Sequence, residues 1–291
     1  MRVSVIIPSL NAPTLARALA AVAAQSELPH EVIVVGRDET GTLQDHPSVS
    51  FIDTGAPVCA ARARNLGMAA ASGDLFLLLD SDCIPSPDWL VRHRASHDAG
   101  ETVTGGAVAL QGSNYWAQSD NVSMFHDFVA QLPAGPRFLL PTLNLSLRRE
   151  VYETVGGMDE SFPGAAAEDA DWTVRIRQAG HRLWFDPSAV VAHSPARTMP
   201  RDVARHWRNL GHNAIRVRLR YADEFNTPNG ARHAWWWRLF SPIIAAGVTA
   251  GVYAKRPLWR YWASLPVVYV TKIIYCLGAA KAIDSGFATQ P

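Results

Sequence analysis

The stretch Leu75-Phe-Leu-Leu-Leu79-Asp80-Ser-Asp82 decides the fold class. Five consecutive apolar residues are typical of a strand that is buried on both faces of a parallel sheet. Two aspartates follow at the carboxyl end of this strand, which is where open α/β sheets bind their ligands. The stretch therefore predicts an α/β domain with a ligand site beside these two aspartates.

Strand and helix patterns alternate on both sides of this stretch. Short apolar runs at 3–7, 31–35 and 49–52 predict strands, and residues 184–185 and 189–191 predict two more. Helical spacing or composition covers residues 14–25, 58–72, 148–155 and 167–179. The region from about 100 to 141 is broken by Gly and Pro, which predicts mixed strands and loops. The alternation predicts a doubly wound α/β architecture.

The charge is divided unevenly along the 291 residues. The formal net charge is +1, but residues 1–196 hold 13 Lys and Arg against 22 Asp and Glu, whereas residues 197–260 hold 12 against 3. Five of the ten tryptophans lie after residue 234. With 48% hydrophobic residues, the chain is not of a disordered class. We expect a catalytic domain over 1–196 and a helical, membrane-associating region over 197–291.

The cysteines and the N-terminus indicate a reducing compartment. Cys59, Cys83 and Cys276 are too few and too scattered for a disulfide framework or a zinc site. The first apolar run ends at Pro8, which is too early for a secretory signal. We therefore expect the first domain to lie in the cytoplasm.

Two sets of acidic residues and one histidine lie at the ends of predicted strands or at the start of a predicted helix. Asp80 and Asp82 suit Mg²⁺ or Mn²⁺ bridging to a diphosphate, although a solvated turn explains the pattern as well. Glu168, Asp169 and Asp171 begin a helix, where the dipole alone favours acids, yet Asp169 is also placed to act as a general base. His193 follows a strand and is either a third metal ligand or a structural histidine.

Other chemistries lack their motifs in this sequence. It contains no G-x-G-x-x-G after the first strand, no P-loop, no H-E-x-x-H and no G-x-S-x-G. The basic stretch is interleaved with apolar and tryptophan-rich segments, which favours anionic lipid over nucleic acid as a partner. An oligomerisation surface, giving a homo-oligomer, or a helical cap on the core is the alternative for this region.

The order of the motifs resembles that of a family 2 glycosyltransferase with the GT-A fold, over about residues 1–195. The motifs are Val3-Ser-Val-Ile-Ile-Pro-Ser-Leu-Asn11, Ala63-Arg-Asn-Leu-Gly67, Leu79-Asp-Ser-Asp82, Gly156-Gly-Met-Asp-Glu-Ser-Phe162, Glu168-Asp-Ala-Asp-Trp172 and His193. The resemblance implies inverting transfer of a sugar from a nucleotide-sugar donor to a hydroxyl, with a divalent metal.

The resemblance also implies roles for individual residues. The nucleotide-sugar site would contain Pro8, Ser9, Asn11, Arg64, Asp80 and Ser81. The metal would be held by Asp80, Asp82 and His193, and Asp169 would be the catalytic base. The acceptor or sugar would lie near Asn144, Glu168, Asp171 and Trp172. Relatives often carry an acidic residue that pairs with uracil after the second strand, where this chain has Val35-Gly-Arg-Asp38. Either Asp38 takes the place of that acid, or the donor carries guanine or thymine.

The C-terminal region extends the functional prediction to a membrane. Arg201, Arg205, Arg208, His212 and Arg216 fall at helical steps, which predicts one basic face on an anionic cytoplasmic leaflet. Residues 241–254 and 261–280 are apolar, but only the second approaches the length of a bilayer span. We expect transfer to a lipid-linked or glycan acceptor; a polyprenyl-phosphate acceptor and a non-catalytic sugar-nucleotide-binding scaffold are the alternatives.

Overall fold

The computed structural model describes residues 1–164 and 166–289, and the chain divides into two compact units. The first unit contains Met1–Ala109 and Phe128–Ser194. The second contains Leu110–Asp127 and the chain from Pro195 onward. The chain thus leaves the first unit close to the expected boundary at residue 196, but residues 110–127 already belong to the second unit.

The first unit is built on a mixed sheet, which has nine strands within the described residues. The strands are β1 (Val3–Leu10), β2 (Glu31–Arg37), β3 (Ser50–Asp53), β4 (Leu75–Leu79), β5 (Cys83–Pro85), β6 (Val103–Ala109), β7 (Gly135–Pro136), β8 (Asn144–Arg148) and β9 (Leu183–His193). Their spatial order is β3-β2-β1-β4-β8-β6-β9-β5, and β7 pairs with β9. The predicted α/β fold is confirmed, and the two strands expected between 184 and 191 form one strand, β9.

The run Leu75–Leu79 forms the centre of this sheet. All five side chains are fully buried, and β4 pairs in parallel with β1 and antiparallel with β8. The strands β3, β2, β1 and β4 are parallel to one another, whereas β5, β7 and β8 run antiparallel to their neighbours. A continuous apolar run is needed here because both faces of β4 are covered.

The helices divide between the two units. Those of the first unit are α1 (Leu15–Ala23), α2 (Ala60–Ala70), α3 (Trp89–Asp98), α5 (Arg149–Val155) and α6 (Glu168–Gln178). Those of the second unit are α4 (Tyr115–Phe125), α7 (Pro200–Arg220), α8 (Ala234–Tyr253) and α9 (Leu265–Asp284). Short 3₁₀ helices cover Thr42–Asp45, Asn229–Arg232, Arg256–Ser264 and Phe287–Thr289.

In the second unit, α7 and α9 cross at glycines. A Cβ at Gly211 of α7 would lie 2.0 Å from the carbonyl oxygen of Tyr275, and one at Gly278 of α9 would lie 2.2 Å from that of Arg208. Because no side chain separates the helices at these points, their backbones approach closely. Around this crossing lies an apolar core that includes Ile215, Trp237 and Cys276.

Only part of the predicted basic face of α7 is exposed to solvent. Arg201, Arg205 and Arg208 are exposed, but Arg216 is buried and lies over the ring of Phe287, on which His212 stacks. The expectation of a single basic face is therefore wrong for the C-terminal half of the helix, because the 3₁₀ helix at the end of the chain covers that half. The arginines of the predicted face that are exposed to solvent lie in the N-terminal half of α7.

One helical segment in the described part of the chain is long and apolar enough to cross a membrane. It runs from Arg256 to Asp284, with a mean hydropathy of 1.5 over its most apolar window, and 44% of that window is buried within the protein. This segment contains the longer of the two apolar stretches recognised in the sequence.

Candidate functional site

The turn Asp80-Ser81-Asp82 links β4 to β5, and strand register brings it to His193. Residue Cys83 of β5 pairs with His193 of β9, and the backbone N–H of Ser194 donates to the carbonyl oxygen of Asp82. The Asp82 Oδ2 atom lies 3.4 Å from His193 Nε2. Two of the three predicted metal ligands are therefore neighbours, and Ser81 is partly exposed in the turn between the aspartates.

The third predicted ligand, Asp80, contacts an arginine. The Arg64 guanidinium of α2 donates to Asp80 at 2.6 Å and to Glu168 of α6 at 3.0 Å. The side chains of Arg64 and Glu168 are each only 4% exposed. Although burial opposes it, the charges of Asp80 and Glu168 hold the pKa of Arg64 above its ordinary value. Arg64 thus links the end of β4 to the beginning of α6.

Two buried polar atoms of this ion-pair cluster keep unused hydrogen-bonding capacity. Within the described residues, Arg64 Nε and Glu168 Oε2 have no hydrogen-bond partner. Buried polar atoms are nearly always satisfied in folded proteins, so such atoms beside Asp80 indicate a place for a polar ligand or water. The cluster is therefore suited to binding a polar molecule.

Asp169 follows Glu168 in the chain, and its pKa is raised. It lies at the start of α6, and loss of solvation of its carboxylate, followed by the charge of Glu168, raises its pKa to about 7. The residue before α6, Ala167, has φ +73°, a left-handed conformation that is strained for alanine. A carboxylate with a pKa near 7 is suited to accept a proton from a hydroxyl.

The carboxyl ends of β1 and β2 form the predicted nucleotide side of the site. Pro8 is partly buried, while Ser9 is buried with a hydroxyl that has no hydrogen-bond partner among the described residues. Gly36 lies against Ser9, since a Cβ there would be 1.8 Å from the Ser9 carbonyl oxygen. Asn11 has φ +50° and exchanges hydrogen bonds with Glu39. These strand ends therefore bring polar groups together beside Ser9.

Asp38 serves its own loop, and the residues around it were missed by sequence reasoning. Although partial burial opposes it, hydrogen bonds from Leu43, Thr40 and Thr42 hold the pKa of Asp38 below its ordinary value. Its neighbour Arg37 pairs with Glu39 and, at 2.9 Å, with Asp53 at the end of β3. The signal that identifies this group is the parallel register of β2 and β3, which the sequence does not display.

Three of the predicted acceptor or sugar residues are fully buried. Asn144 accepts from Trp89 and faces His93, and donates to the carbonyl oxygens of Ala107 and Ala189. Asp171 accepts from Arg175, and the indole of Trp172 donates to the carbonyl oxygen of Gly156. These side chains are hydrogen-bonded within the protein, and their contact with a ligand stays a prediction.

Two of the predicted metal ligands offer donor atoms side by side for a divalent cation. Among residues 1–164 and 166–289, no group of three or more His, Cys, Asp or Glu side chains is arranged to hold a metal ion. The pair Asp82 and His193 nevertheless offers a carboxylate oxygen and an imidazole nitrogen side by side, which suits Mn²⁺ with its other ligands from a substrate. These two residues fit a metal, whereas Asp80 is engaged by Arg64.

A pocket of about 530 Å³ opens beside the end of β3 and the first turns of α2. It is lined by Ile52, Asp53, Thr54, Pro57, Val58, Cys59, Arg62 and Leu66. Asp53, which pairs with Arg37, therefore connects this pocket to the ends of β2 and β3.

This architecture is the GT-A fold of glycosyltransferases. The mannosyltransferase PcManGT of Pyrobaculum calidifontis, solved with GDP-Man and Mn²⁺, superimposes with a TM-score of 0.61 at 16% identity, over 95% of this chain and 87% of that chain. At this identity the likeness shows the fold alone.

The chain belongs to glycosyltransferase family 2, because the model described as Glycosyl transferase family 2 matches residues 4–156. The glycosyltransferase AglE of Haloferax volcanii is 30% identical over 231 residues, covering 74% of this chain and 73% of that protein. The N-acetylglucosaminyl-diphospho-decaprenol L-rhamnosyltransferase of Mycobacterium tuberculosis is 26% identical over 268 residues, covering 78% and 83%. The predicted family is confirmed.

Proposed function

We propose that this chain transfers a sugar, with inversion, from a nucleoside-diphosphate donor to a hydroxyl of a lipid-linked or glycan acceptor at the cytoplasmic face of the cell membrane. The observation that carries the proposal is the chain of ion pairs from Asp80 through Arg64 to Glu168, next to Asp169 with its raised pKa. A relative named for a diphospho-decaprenol substrate and a structural neighbour solved with GDP-Man support it.

The proposed base is Asp169. An alcohol is a weak nucleophile, so a carboxylate that takes its proton as the new bond forms lowers the barrier. The acceptor oxygen bonds to the anomeric carbon on one side while the bond to the diphosphate breaks on the other. Asp169 receives the hydroxyl proton, and the nucleoside diphosphate leaves with the bonding electron pair.

Asp82 and His193 would hold Mn²⁺ or Mg²⁺ in this proposal. When bound, such an ion supplies positive charge to the diphosphate leaving group. The chain's own contribution is positional: Arg64 holds Asp80 and Glu168, and so fixes the beginning of α6 beside the end of β4. Asp169 follows Glu168 in this helix, and its Oδ1 atom accepts a hydrogen bond from the Ala170 backbone N–H.

Donor binding is tested by thermal stabilisation with UDP, GDP and dTDP, each with and without Mn²⁺. A ligand at 100 times its Kd adds about 2.7 kcal/mol to the free energy of unfolding. We expect one nucleotide to stabilise the protein more with Mn²⁺, and Asp82→Ala to remove that increment. The matched control is Asp98→Ala at the exposed end of α3. If no nucleotide stabilises the wild type, the proposal is wrong.

Transfer is tested with Asp169→Asn and the donor found in this way. We expect unchanged donor binding and at least a ~10²-fold loss of transfer, because the amide cannot take a proton. A polyprenyl phosphate is already an anion and needs no general base. Retention of transfer by the variant would therefore indicate that the acceptor is a phosphate and not a hydroxyl. Donor binding without transfer by the wild type to any acceptor class would indicate the scaffold.

A further inference from the structure

An exposed apolar stripe runs along α8 in the second unit. Trp235, Leu239 and Ile243 follow one another at steps of four residues, and their exposed fractions are 55%, 64% and 69%. Residues four apart lie on the same face of a helix. From Leu239 to the end of α8 the sequence contains no charged residue. The stripe is therefore apolar along most of the helix.

The stripe is not the face of α8 that packs inside the protein. Trp237, Ser241, Ala245, Thr249 and Val252 are buried, and they lie on the other side of the helix. The Trp237 indole donates to the carbonyl oxygen of Ala231. The buried side of α8 thus has its contacts within the unit, and the stripe is additional apolar surface. Extended exposed apolar surfaces mark interaction sites.

Two tryptophans in the 3₁₀ helix Arg256–Ser264 are also exposed. Trp259 and Trp262 have exposed fractions of 56% and 74%, although tryptophan is usually well buried in proteins. Arg256 and Arg260 are exposed in the same short helix, and the Arg256 guanidinium lies 5.8 Å from the Trp259 ring centroid. Tryptophan beside arginine is the composition found at the headgroup level of a bilayer.

Exposed positive charge is abundant in the same unit. Besides Arg256 and Arg260, the arginines Arg201, Arg205 and Arg208 of α7 are exposed, with Arg205 near Asp202. Arg238 of α8 is exposed as well and pairs with Asp284. Each arginine near an anionic lipid surface adds attraction that falls off within a Debye length. Charge complementarity therefore favours an anionic bilayer over a second copy of this chain, whose surface here would be equally basic.

The apolar helix α9 is held in the unit by polar contacts. The Lys272 ammonium donates to the carbonyl oxygen of Ser123 and lies 4.0 Å from the Trp207 ring centroid, and Thr271 hydrogen-bonds Ser123 through its hydroxyl. Close backbone contact at Gly278 adds to this packing. A helix that crossed the bilayer alone would lose all of these contacts, so α9 is suited to support the surface and not to span.

We propose that the stripe of α8 together with Trp259 and Trp262 is a monotopic docking surface for an anionic lipid bilayer. The apolar side chains enter the interfacial region, and the arginines contact lipid phosphates. The inference specifies the membrane location in the proposed function, and it is measured without any sugar transfer. Failure of transfer with intact vesicle binding would count against the enzyme proposal alone.

The test is flotation of the full chain with vesicles of phosphatidylcholine, or of equal parts phosphatidylcholine and phosphatidylglycerol. We expect binding to the anionic vesicles to persist partly at about 1 M salt, where electrostatic attraction is screened, and to be released by alkaline carbonate. Trp259→Ser with Trp262→Ser, and separately Leu239→Ser with Ile243→Ser, should each weaken partitioning at least about tenfold.

Two control variants separate the contribution of charge from that of the position of the apolar residues. Arg256→Gln with Arg260→Gln should weaken binding only at low salt, and Leu28→Ser, an exposed apolar residue of the first unit, should change nothing. All substitutions are at exposed positions, and an unchanged circular dichroism spectrum confirms folding. Equal partitioning of every variant, resistance to carbonate extraction, or a lipid-free dimer that Leu239→Ser with Ile243→Ser dissociates would overturn the proposal.

Discussion

Arg64 is the residue that organises the candidate site. It is buried between two carboxylates from different elements, Asp80 after β4 and Glu168 at the start of α6. A buried charge is tolerated only when it is paired, so the three side chains depend on one another. The neighbouring Asp169 lacks such a pairing with Arg64, and its pKa is raised by burial and by Glu168. One arginine therefore pairs with two carboxylates, while the pKa of Asp169 beside them is raised to about 7, which suits it to accept a proton.

Glu168→Gln is expected to change the pH dependence of transfer. The base form of Asp169 is lost as pH falls through its pKa of about 7, so kcat/KM should fall on the acid side of that value. Removing the negative charge of Glu168 lowers the pKa of Asp169, so the acid limb should move to lower pH by roughly one unit. The measurement is the pH profile of kcat/KM.

The matched control for this profile is Glu153→Gln, an exposed acid on α5. It removes the same charge without facing Asp169, so the acid limb should stay in place. An acid limb that is unmoved in Glu168→Gln, or that moves to higher pH, would refute Asp169 as the titrating base.

At the scale of elements, the sheet beneath the site is joined by a buried polar network. Asn144 at the start of β8 hydrogen-bonds carbonyl oxygens of β6 and β9, and His93 and His97 of α3 both contact Ser146. Burial lowers the pKa of His93 to about 4 and that of His97 to about 3, so both imidazoles are neutral at pH 7. The network fixes β9, and with it His193, relative to β8.

Asn144→Ala is expected to destabilise the protein by about 3 kcal/mol, because it leaves buried donors and carbonyl oxygens unpaired. The free energy of unfolding from urea titration measures this, with Asn209→Ala on the exposed surface of α7 as the control. Loss of donor-induced thermal stabilisation in Asn144→Ala without any fall in stability would instead assign Asn144 a direct ligand contact.

At the scale of the whole molecule, the two compact units do not follow the order of the chain. Residues 110–127 leave the first unit and join the second, where α4 is anchored by polar contacts. Asp120 accepts from Arg197 and from the Trp207 indole, and Ser119 hydrogen-bonds Ser264. A cut near residue 195 therefore separates α4 from its partners.

A fragment of residues 1–194 is expected to associate and precipitate, because it exposes the apolar side of α4, including Val122 and Phe125. Replacing residues 111–126 by a Gly/Ser linker in the same fragment should restore a soluble monomer. Size-exclusion chromatography with circular dichroism measures both. A monomeric, cooperatively folding 1–194 without the replacement would contradict the assignment of α4 to the second unit.

The sequence by itself determined the fold class and the family, and it indicated the acids of the candidate site. The buried run Leu75–Leu79 and the order of short motifs sufficed, because continuous apolar strands and strand-end aspartates are local features. It did not show that Asp38 is hydrogen-bonded within its own loop, whereas Glu39 hydrogen-bonds Asn11.

Only the tertiary structure decided which of these groups meet. The pairing of Cys83 with His193 brings Asp82 to the imidazole, and the packing of α2 and α6 brings Arg64 between Asp80 and Glu168. The burial of Arg216 and the exposure of the α8 stripe depend in the same way on which helices pack together. Register and helix packing join residues that are far apart in the chain, such as Arg64 and Glu168 at 104 positions, and no local pattern records such pairings.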